Sequence, residues 1–280
     1  MVFLGENGWA VRFWPLCASA RHAEKETATA PVLADGERAF AIADSLEKGL
    51  ARELLTNFTR RLPRARKLWR FRVDRSDDRQ EYRLSCDGEE LLTFARVSRS
   101  ARRVEFFMYD PRDEQSGLYD ASKPVFTLSC NPARSEWRLV QERDDNCSFL
   151  SRDAPRGGWG RQEIAQVTHS RQRVGTRTCR CMEARISPLA HAPDAAAAPA
   201  ATEERQRLTT KWSDGGALGF KDRQVLASKT NFQLVLPERP EHVVCQYGKI
   251  GPGSFGLDCA YPLTLIQAFG IAMTAAAAWE

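Results

Sequence analysis

Arginine offers the clearest chemistry in this sequence, because it is concentrated in two stretches. Residues 60–75 hold seven arginines and one lysine, and residues 96–103 hold four arginines. A guanidinium binds two phosphate oxygens at once, so clusters of this kind suit phosphate groups. A charge run is also typical of an ordinary solvated face. The net charge of +5 therefore indicates an anionic partner only where the basic side chains converge.

Metal, cofactor and catalytic patterns are weak by comparison. The eight cysteines include no C-x-x-C pair and the four histidines are scattered, whereas a zinc site needs four converging ligands. GPGSFG, residues 251–256, resembles a dinucleotide-binding motif, but FGLDC predicts a strand where that motif requires a helix. It therefore predicts a hairpin turn. With no nucleophile motif and no carboxylate pair, we expect a non-enzyme that binds no metal or cofactor.

Most elements that position the arginines are predicted to be short strands. From residue 68 onward, apolar and polar side chains alternate with period two in several segments separated by turn residues. These segments are 68–73, 81–86, 91–97, 104–109, 124–130, 136–140, 163–167, 232–236 and 242–247. Many short strands in one domain indicate a sandwich or a barrel.

Two segments depart from this alternation. Residues 1–65 are predicted to form an N-terminal extension, in which stretch 44–61 has the four-residue apolar spacing of an amphipathic helix. Residues 187–207 are rich in Ala and Pro and are typical of a flexible surface loop. The first residues match a signal peptide poorly, so we expect a cytoplasmic protein with reduced thiols.

The last segment of the chain is apolar on every side. Residues 262–279 carry no charge, and such a helix is either enclosed by protein or inserted in a membrane. Gln267 lies in the middle of the segment, and no cluster of Lys or Arg flanks it. Burial is favoured because a lone polar side chain finds no partner in lipid. A membrane anchor remains the alternative.

The residues around this helix resemble the C-terminal signature of the tubby family. Segments 229–235 and 243–272 contain, in order, NFQ, QYGK, FGLD, YPL and QAFGIA, which fit the family's elements. Fainter similarity extends over residues 80–280, with a longer insertion than usual at 111–158. The resemblance implies a mainly β fold. In this fold, a closed antiparallel barrel of twelve strands surrounds a central hydrophobic C-terminal helix, here within a domain of residues 66–280.

Resemblance to the family also implies a phosphoinositide pocket on the side of the barrel. The Lys and Arg positions of that pocket correspond to Arg96 and Ser98, so one charge is kept and one is lost. A further Arg position corresponds to Arg161, and an Asn position to Glu81, which would repel phosphate. Arg99 follows Ser98 and is expected to point to the opposite face of the strand. These five residues are the candidate site.

The function implied by this resemblance is that of a membrane-tethered adaptor. Such a protein would bind phosphatidylinositol 4,5-bisphosphate in the cytosolic leaflet and hold a protein cargo, as in membrane-protein or ciliary trafficking. We expect a monomer that is peripheral at the inner face of the plasma membrane, with the nucleus or cilium as further locations. Two alternatives stay open. One is a nucleic-acid-binding or transcription-related protein that uses the same basic face, and the other is a scramblase-like lipid-handling barrel.

Overall fold

A computed structural model gives the fold of this chain as a ring of strands around one helix. It describes residues 58–59, 61–62, 64, 68–86, 91–98, 102–108, 124–141, 162–174, 177–187, 205–211, 218–220 and 223–279. The amphipathic helix predicted over 44–61 lies outside these residues except near its end, where Phe58 and Thr59 are helical.

The wall of the barrel consists of antiparallel strands that follow one another in sequence order. They are β1 (Trp69–Arg75), β2 (Glu81–Cys86), β3 (Leu91–Ser98), β4 (Arg103–Met108), β5 (Phe126–Cys130), β6 (Glu136–Gln141), β7 (Gln162–Val174), β8 (Arg177–Ile186), β9 (Gln206–Thr210), β10 (Phe232–Leu236), β11 (Arg239–Gly251) and β12 (Ser254–Cys259). Each strand pairs with its sequence neighbour, and β1 pairs with β12, so that the sheet closes. The predicted closed barrel of twelve strands is confirmed.

The alternation of apolar and polar residues predicted most of these strands. Each of the nine segments overlaps one of β1–β7, β10 or β11, and GPGSFG forms the turn between β11 and β12. Strands β8 and β9 were not among the predicted segments. Strands β5 and β6 lie within the range 111–158. The loop predicted over 187–207 connects β8 to β9, and residues 188–204 of this loop are outside the described part of the chain.

Helix α1 (Leu265–Trp279) fills the interior of the barrel. Its residues from Leu265 to Ala276 are all buried. A ring of this many strands is too wide for its own side chains to fill, so an apolar helix completes the core. At Gly270, an added Cβ would lie 2.6 Å from Leu139 Cδ2, so glycine allows α1 to approach β6 closely. The prediction that the apolar segment is buried is therefore confirmed.

No helix among the described residues has both the length and the hydropathy that a membrane-spanning segment requires.

Gln267 is the polar group that fixes the start of α1. Its Oε1 accepts a hydrogen bond from the Thr264 N–H at 3.0 Å, and its own N–H donates to Thr264 Oγ1 at 3.2 Å. This reciprocal pair is a capping box, which satisfies two N–H groups at the helix N-terminus. Gln267 Nε2 also donates to the carbonyls of Ile164 and Ser187, both at 2.9 Å. Gln267 therefore joins α1 to β7 and to the end of β8.

Residues that precede β1 contact the start of the helix. Phe58 and Leu62 belong to the buried core, and the Leu62 N–H donates to the Leu263 carbonyl at 2.8 Å. Arg64 donates to the Tyr261 hydroxyl at 3.0 Å. The core of the barrel therefore includes side chains that lie before residue 66.

The order of strands decides which loops meet. Because strand direction alternates around the barrel, the β1–β2, β3–β4, β5–β6 and β7–β8 hairpins lie at one end. Helix α1 begins after β12 at the opposite end and finishes near these hairpins. We refer to the hairpin end as the mouth of the barrel.

Candidate anion-binding sites on the barrel

Arg96 lies on the outer wall of the barrel, in β3. Its strand neighbours Ala95 and Val97 pack against the core, whereas Arg96 is exposed. The guanidinium carbon is 5.2 Å from the centre of the Phe107 ring and 5.9 Å from that of Phe94. These two rings stack with centroids 5.0 Å apart. A cation held over an aromatic face gains a modest stabilisation, so the rings help to hold the guanidinium at the surface.

Two carboxylates lie beside Arg96 on the neighbouring strands. In register, Arg96 pairs with Glu81 of β2 on one side and with Glu105 of β4 on the other. We call these three residues the outer row. Glu81 accepts a hydrogen bond from Arg83 Nε at 2.7 Å, and Glu105 forms an ion pair with Arg103 Nε at 3.2 Å. An anion that approaches Arg96 therefore meets two negative groups, whose charge is only partly offset.

The other candidate residues are placed as follows. Ser98 pairs in register with Arg103 and lines a cavity at the mouth. Arg99 and Arg161 lie outside the described residues. The structure thus brings Glu81 next to Arg96 and places Ser98 further along the same strand, towards the mouth.

The cavity at the mouth has a volume of about 170 Å³ and is rich in arginine. Four arginines line it: Arg79, Arg102, Arg103 and Arg134. Its remaining lining residues include the aromatic Tyr82 and Trp137 and the last turns of α1 at Ala276 and Ala277. None of the described lining residues is acidic. We call this feature the mouth cavity.

Three of these arginines occupy a conformation that disfavours side chains. Arg79, Arg102 and Arg134 have φ angles of +60°, +51° and +54°. Each lies in a different hairpin, and in two of the turns the arginine N–H donates at 3.0 Å to the carbonyl three residues earlier, at Ser76 and Asn131. A left-handed conformation costs an L-residue about 1–2 kcal/mol, so glycine or asparagine is the usual occupant.

The backbone at the mouth is held by neighbouring groups. The carbonyl of Arg102 accepts a hydrogen bond from the Cys130 N–H at 3.2 Å. The carbonyl of Arg134 accepts one from Trp137 Nε1 at 3.1 Å. Among the described residues, no ion pair involves Arg79, Arg102 or Arg134. Within the described part of the chain, these three arginines therefore give the cavity a positive charge that no ion pair offsets.

Comparison with known proteins shows what the C-terminal part of this chain is similar to. The Tub family model matches residues 216–277. Tubby protein homolog 1 of Caenorhabditis briggsae is 42% identical over 79 residues, which are 26% of this chain and 19% of the relative. Tubby-related protein 2 of Mus musculus is 43% identical over 72 residues, which are 25% of this chain and 13% of the relative. The matched segment holds β10–β12 and the helix that closes the barrel. Residues 216–277 of this chain are therefore similar to the tubby family.

The similarity to curated tubby proteins is confined to a short section of them. Tubby-like F-box protein 2 of Arabidopsis thaliana is 44% identical over 66 residues, which are 20% of this chain and 17% of the relative. The chain thus spans less than a fifth of the length of each of these relatives.

Several tubby signature residues form a buried polar chain on the outer wall. Gln233 Nε2 donates to Gln246 Oε1 at 3.0 Å, and Gln246 Nε2 donates to Asp258 Oδ2 at 2.7 Å. Arg223 completes the chain through Asp258, which is 2% exposed. These residues belong to the NFQ, QYGK and FGLD elements. In this barrel they join β10, β11 and β12, so their role is structural.

Two of the mouth arginines escaped sequence analysis because they stand alone among polar residues. Arg79 occurs in SDDRQE, residues 76–81, and Arg134 in NPARSE, residues 131–136. Both segments place arginine two residues before the glutamate that begins the next strand. This shared pattern is the signal that could have shown equivalent turns in this chain.

His169, in β7 near the mouth, gives the stability of the barrel a predicted dependence on pH. Burial, with a smaller effect from Arg180, lowers the pKa of His169 from 6.5 to about 4. The folded protein therefore keeps the imidazole neutral in a range where the unfolded chain binds a proton. Above pH 6.5 the protonation of His169 does not lower the free energy of unfolding. As the pH falls from 6.5 towards 4, the free energy of unfolding decreases by up to about 3 kcal/mol.

Chemical denaturation between pH 4 and pH 8 tests this expectation for the wild type and His169→Asn. The difference between their free energies of unfolding should change with pH over that window. The exposed His242 offers a matched control as His242→Asn. Equal pH profiles for wild type and His169→Asn would contradict the assignment.

Proposed function

We propose that this tubby-family chain is a non-enzymatic adaptor that binds phosphoinositides at the membrane. The observation that carries the proposal is the exposed Arg96 on the outer wall, supported by Phe94 and Phe107. The apolar helix is enclosed, and Arg96 on the outer wall is exposed to a ligand. We propose phosphatidylinositol 4,5-bisphosphate in the cytosolic leaflet as the ligand and a membrane or ciliary protein as cargo. The protein would then be cytoplasmic, peripheral at the plasma membrane and monomeric.

The charges of the outer row suggest that such binding is weak but dependent on Arg96. A guanidinium binds the oxygens of a phosphorylated head group in a forked geometry. Near an anionic leaflet each basic side chain contributes about 1 kcal/mol. Glu81 and Glu105 flank Arg96 and oppose this attraction. Arg96 would therefore provide the main favourable interaction of the outer row.

Arg96→Ala is expected to weaken binding to vesicles that contain phosphatidylinositol 4,5-bisphosphate. The loss should be about fivefold, which corresponds to about 1 kcal/mol. Co-sedimentation at fixed salt measures it, with vesicles of phosphatidylserine at equal total charge as a second surface. Arg185→Ala is the matched control, because Arg185 is an exposed arginine of the wall whose charge is paired with Glu183. Equal losses for the two variants would contradict a specific site.

Nucleic acid is the competing ligand for the same basic face. Both ligands bind through charge, so salt dependence alone does not separate them. Duplex DNA and the phosphoinositide vesicles are therefore compared at one salt concentration. Tighter binding of DNA, with no preference among the vesicles, would contradict the proposal.

The scramblase-like alternative requires α1 to leave the barrel. That movement would break the hydrogen bonds from Gln267 to the carbonyls of Ile164 and Ser187 and expose the apolar core. Carbonate extraction of membranes carrying the bound protein tests this alternative. We expect release into the supernatant, and retention in the pellet would favour the alternative.

A further inference from the structure

We infer that the mouth cavity is a second anion-binding site, which binds a phosphate monoester group. Its ligands are Arg79, Arg102 and Arg134, with Arg103 at the side. None of these residues belongs to the outer row, and the inference does not require Arg96. It therefore goes beyond the proposed function.

The backbone of the three hairpins is the first argument. Arg79, Arg102 and Arg134 all adopt positive φ, where glycine would fit with less strain. Strained residues of this kind often mark functional positions, because the fold tolerates them in exchange for what the side chain does. The three turns are far apart in sequence, yet the consecutive pairing of β1–β6 in one curved sheet brings them to one cavity. Charge is the property that these side chains share.

The balance of charge is the second argument. The C-terminus of a helix carries roughly half a negative charge, and α1 has no basic residue in its last turn. That partial charge attracts arginine, but it is small beside several guanidinium groups. Glu105 offsets the charge of Arg103. In the first hairpin, Asp78 stays ionised because Ser76 Oγ and the Gln80 N–H donate to it and lower its pKa, but it does not line the cavity. Among the described residues that line the cavity, a net positive charge therefore remains for an external anion.

Size and lining indicate which part of a ligand the cavity holds. A volume of about 170 Å³ is below the range of about 300–1,000 Å³ that is typical of sites for whole small molecules. It suits a single phosphate group, whose oxygens match guanidinium forks. Tyr82 and Trp137 supply an apolar wall beside the arginines. The carbon skeleton that bears the phosphate would contact this wall. A lipid head group and a soluble phosphate ester both present this chemistry.

Calorimetric titration with phenyl phosphate, a single phosphate monoester that is not the head group proposed for Arg96, tests the site in the full chain. The key variant is Arg79→Gly/Arg102→Gly/Arg134→Gly, because glycine accepts the positive φ at each position. We expect its affinity to fall at least about tenfold, since it removes three charged donors. The control is Arg185→Gln/Arg205→Gln/Arg207→Gln, which removes the same charge from ion pairs on the outer wall. Its affinity should change by less than about twofold, as expected for exposed pairs.

Thermal unfolding of both triple variants shows whether each still folds, and asparagine at the three positions provides a second variant. Absence of saturable binding to the wild type would overturn the inference, and so would equal losses in the two triple variants. Arg96→Ala should bind the soluble ester as the wild type does. Loss of vesicle binding in that variant alone would therefore concern the proposed function only.

Vesicles with and without phosphatidylinositol 4,5-bisphosphate identify the source of the phosphate. If the triple glycine variant loses binding to both the ester and the vesicles, the ligand is a lipid head group. If it loses only the ester, the ligand is soluble. Each of these two results supports the site.

Discussion

Replacing Arg223 with Met is expected to lower the free energy of unfolding by about 3–5 kcal/mol at neutral pH, because it leaves a buried carboxylate unpaired. Arg223 Nε donates to the two carboxylate oxygens of Asp258 at 2.8 and 2.9 Å. Arg223 Nη2 also donates to the Phe71 carbonyl at 3.2 Å. The side chain passes over Gly256, where an added Cβ would lie 2.9 Å from Arg223 Cδ. Arg223 therefore joins its own segment to β1 and β12.

The size of this loss should depend on pH. Burial raises the pKa of Asp258 above its ordinary value, although Gln246 and Arg223 oppose the shift. Without Arg223 the pKa of Asp258 should rise further. A carboxyl group whose pKa is higher in the folded state favours folding while it is protonated, and this contribution disappears as the pH rises through the folded-state pKa. Urea unfolding of Arg223→Met should therefore show a smaller loss at pH 5 than at pH 8.

Two comparisons separate this effect from a general loss of charge. Arg223→Met/Asp258→Leu removes both charges and should be less destabilised than Arg223→Met, because no buried carboxylate remains. Arg185→Met breaks an exposed pair with Glu183 and should cost no more than about 1 kcal/mol. Equal losses for Arg223→Met and Arg185→Met would show that the buried pair has no special role.

The fold could be predicted because its main physical requirement is local in the sequence. An uncharged helix must be enclosed, and the segments before it alternate with the period of strands. The resemblance around Gln246 and Asp258 then indicated the barrel, which the structure confirms. Strand β9 escaped prediction because Leu208 is its one buried residue, so five residues give too little alternation. Pairing with β8 and β10 holds these residues in a strand, although their own sequence alternates too little to predict one.

The candidate sites could be predicted only in part, for a reason of topology. Arg96 was found because a gap-free resemblance placed it in a strand, and it is exposed on the outer wall. The electrostatic surroundings of Arg96 depend on Glu105, which the pairing of β3 with β4 places beside it. Arg79 and Arg134 are 55 residues apart and line one cavity because β1–β6 pair consecutively in the curved wall of the barrel. Neither position has a local signal for a ligand, since each lies in an ordinary polar turn.

Gln267→Leu is expected to destabilise the barrel by about 2–4 kcal/mol, from buried carbonyls that lose a donor and a helix that loses its cap. Gln267 is 1% exposed, so water does not replace its hydrogen bonds readily. The Ile164 carbonyl keeps a second donor, the Ser187 N–H at 3.0 Å. The Ser187 carbonyl depends more on Gln267 Nε2. Most of the loss should therefore come from Ser187 and from the Thr264 N–H.

Chemical denaturation measures this loss, and Thr274→Val is the matched control inside the same helix. Thr274 is fully buried and donates through Oγ1 to the Ile271 carbonyl at 2.7 Å. That hydrogen bond stays within one helical turn, so Thr274→Val should cost less than Gln267→Leu even though both remove a buried polar side chain. If the two substitutions were equally costly, the hydrogen bonds from Gln267 to the wall would not be what fixes the helix. Because every face of α1 packs on strands, Gln267 is the polar feature that distinguishes the observed register of the helix from one shifted along the barrel axis.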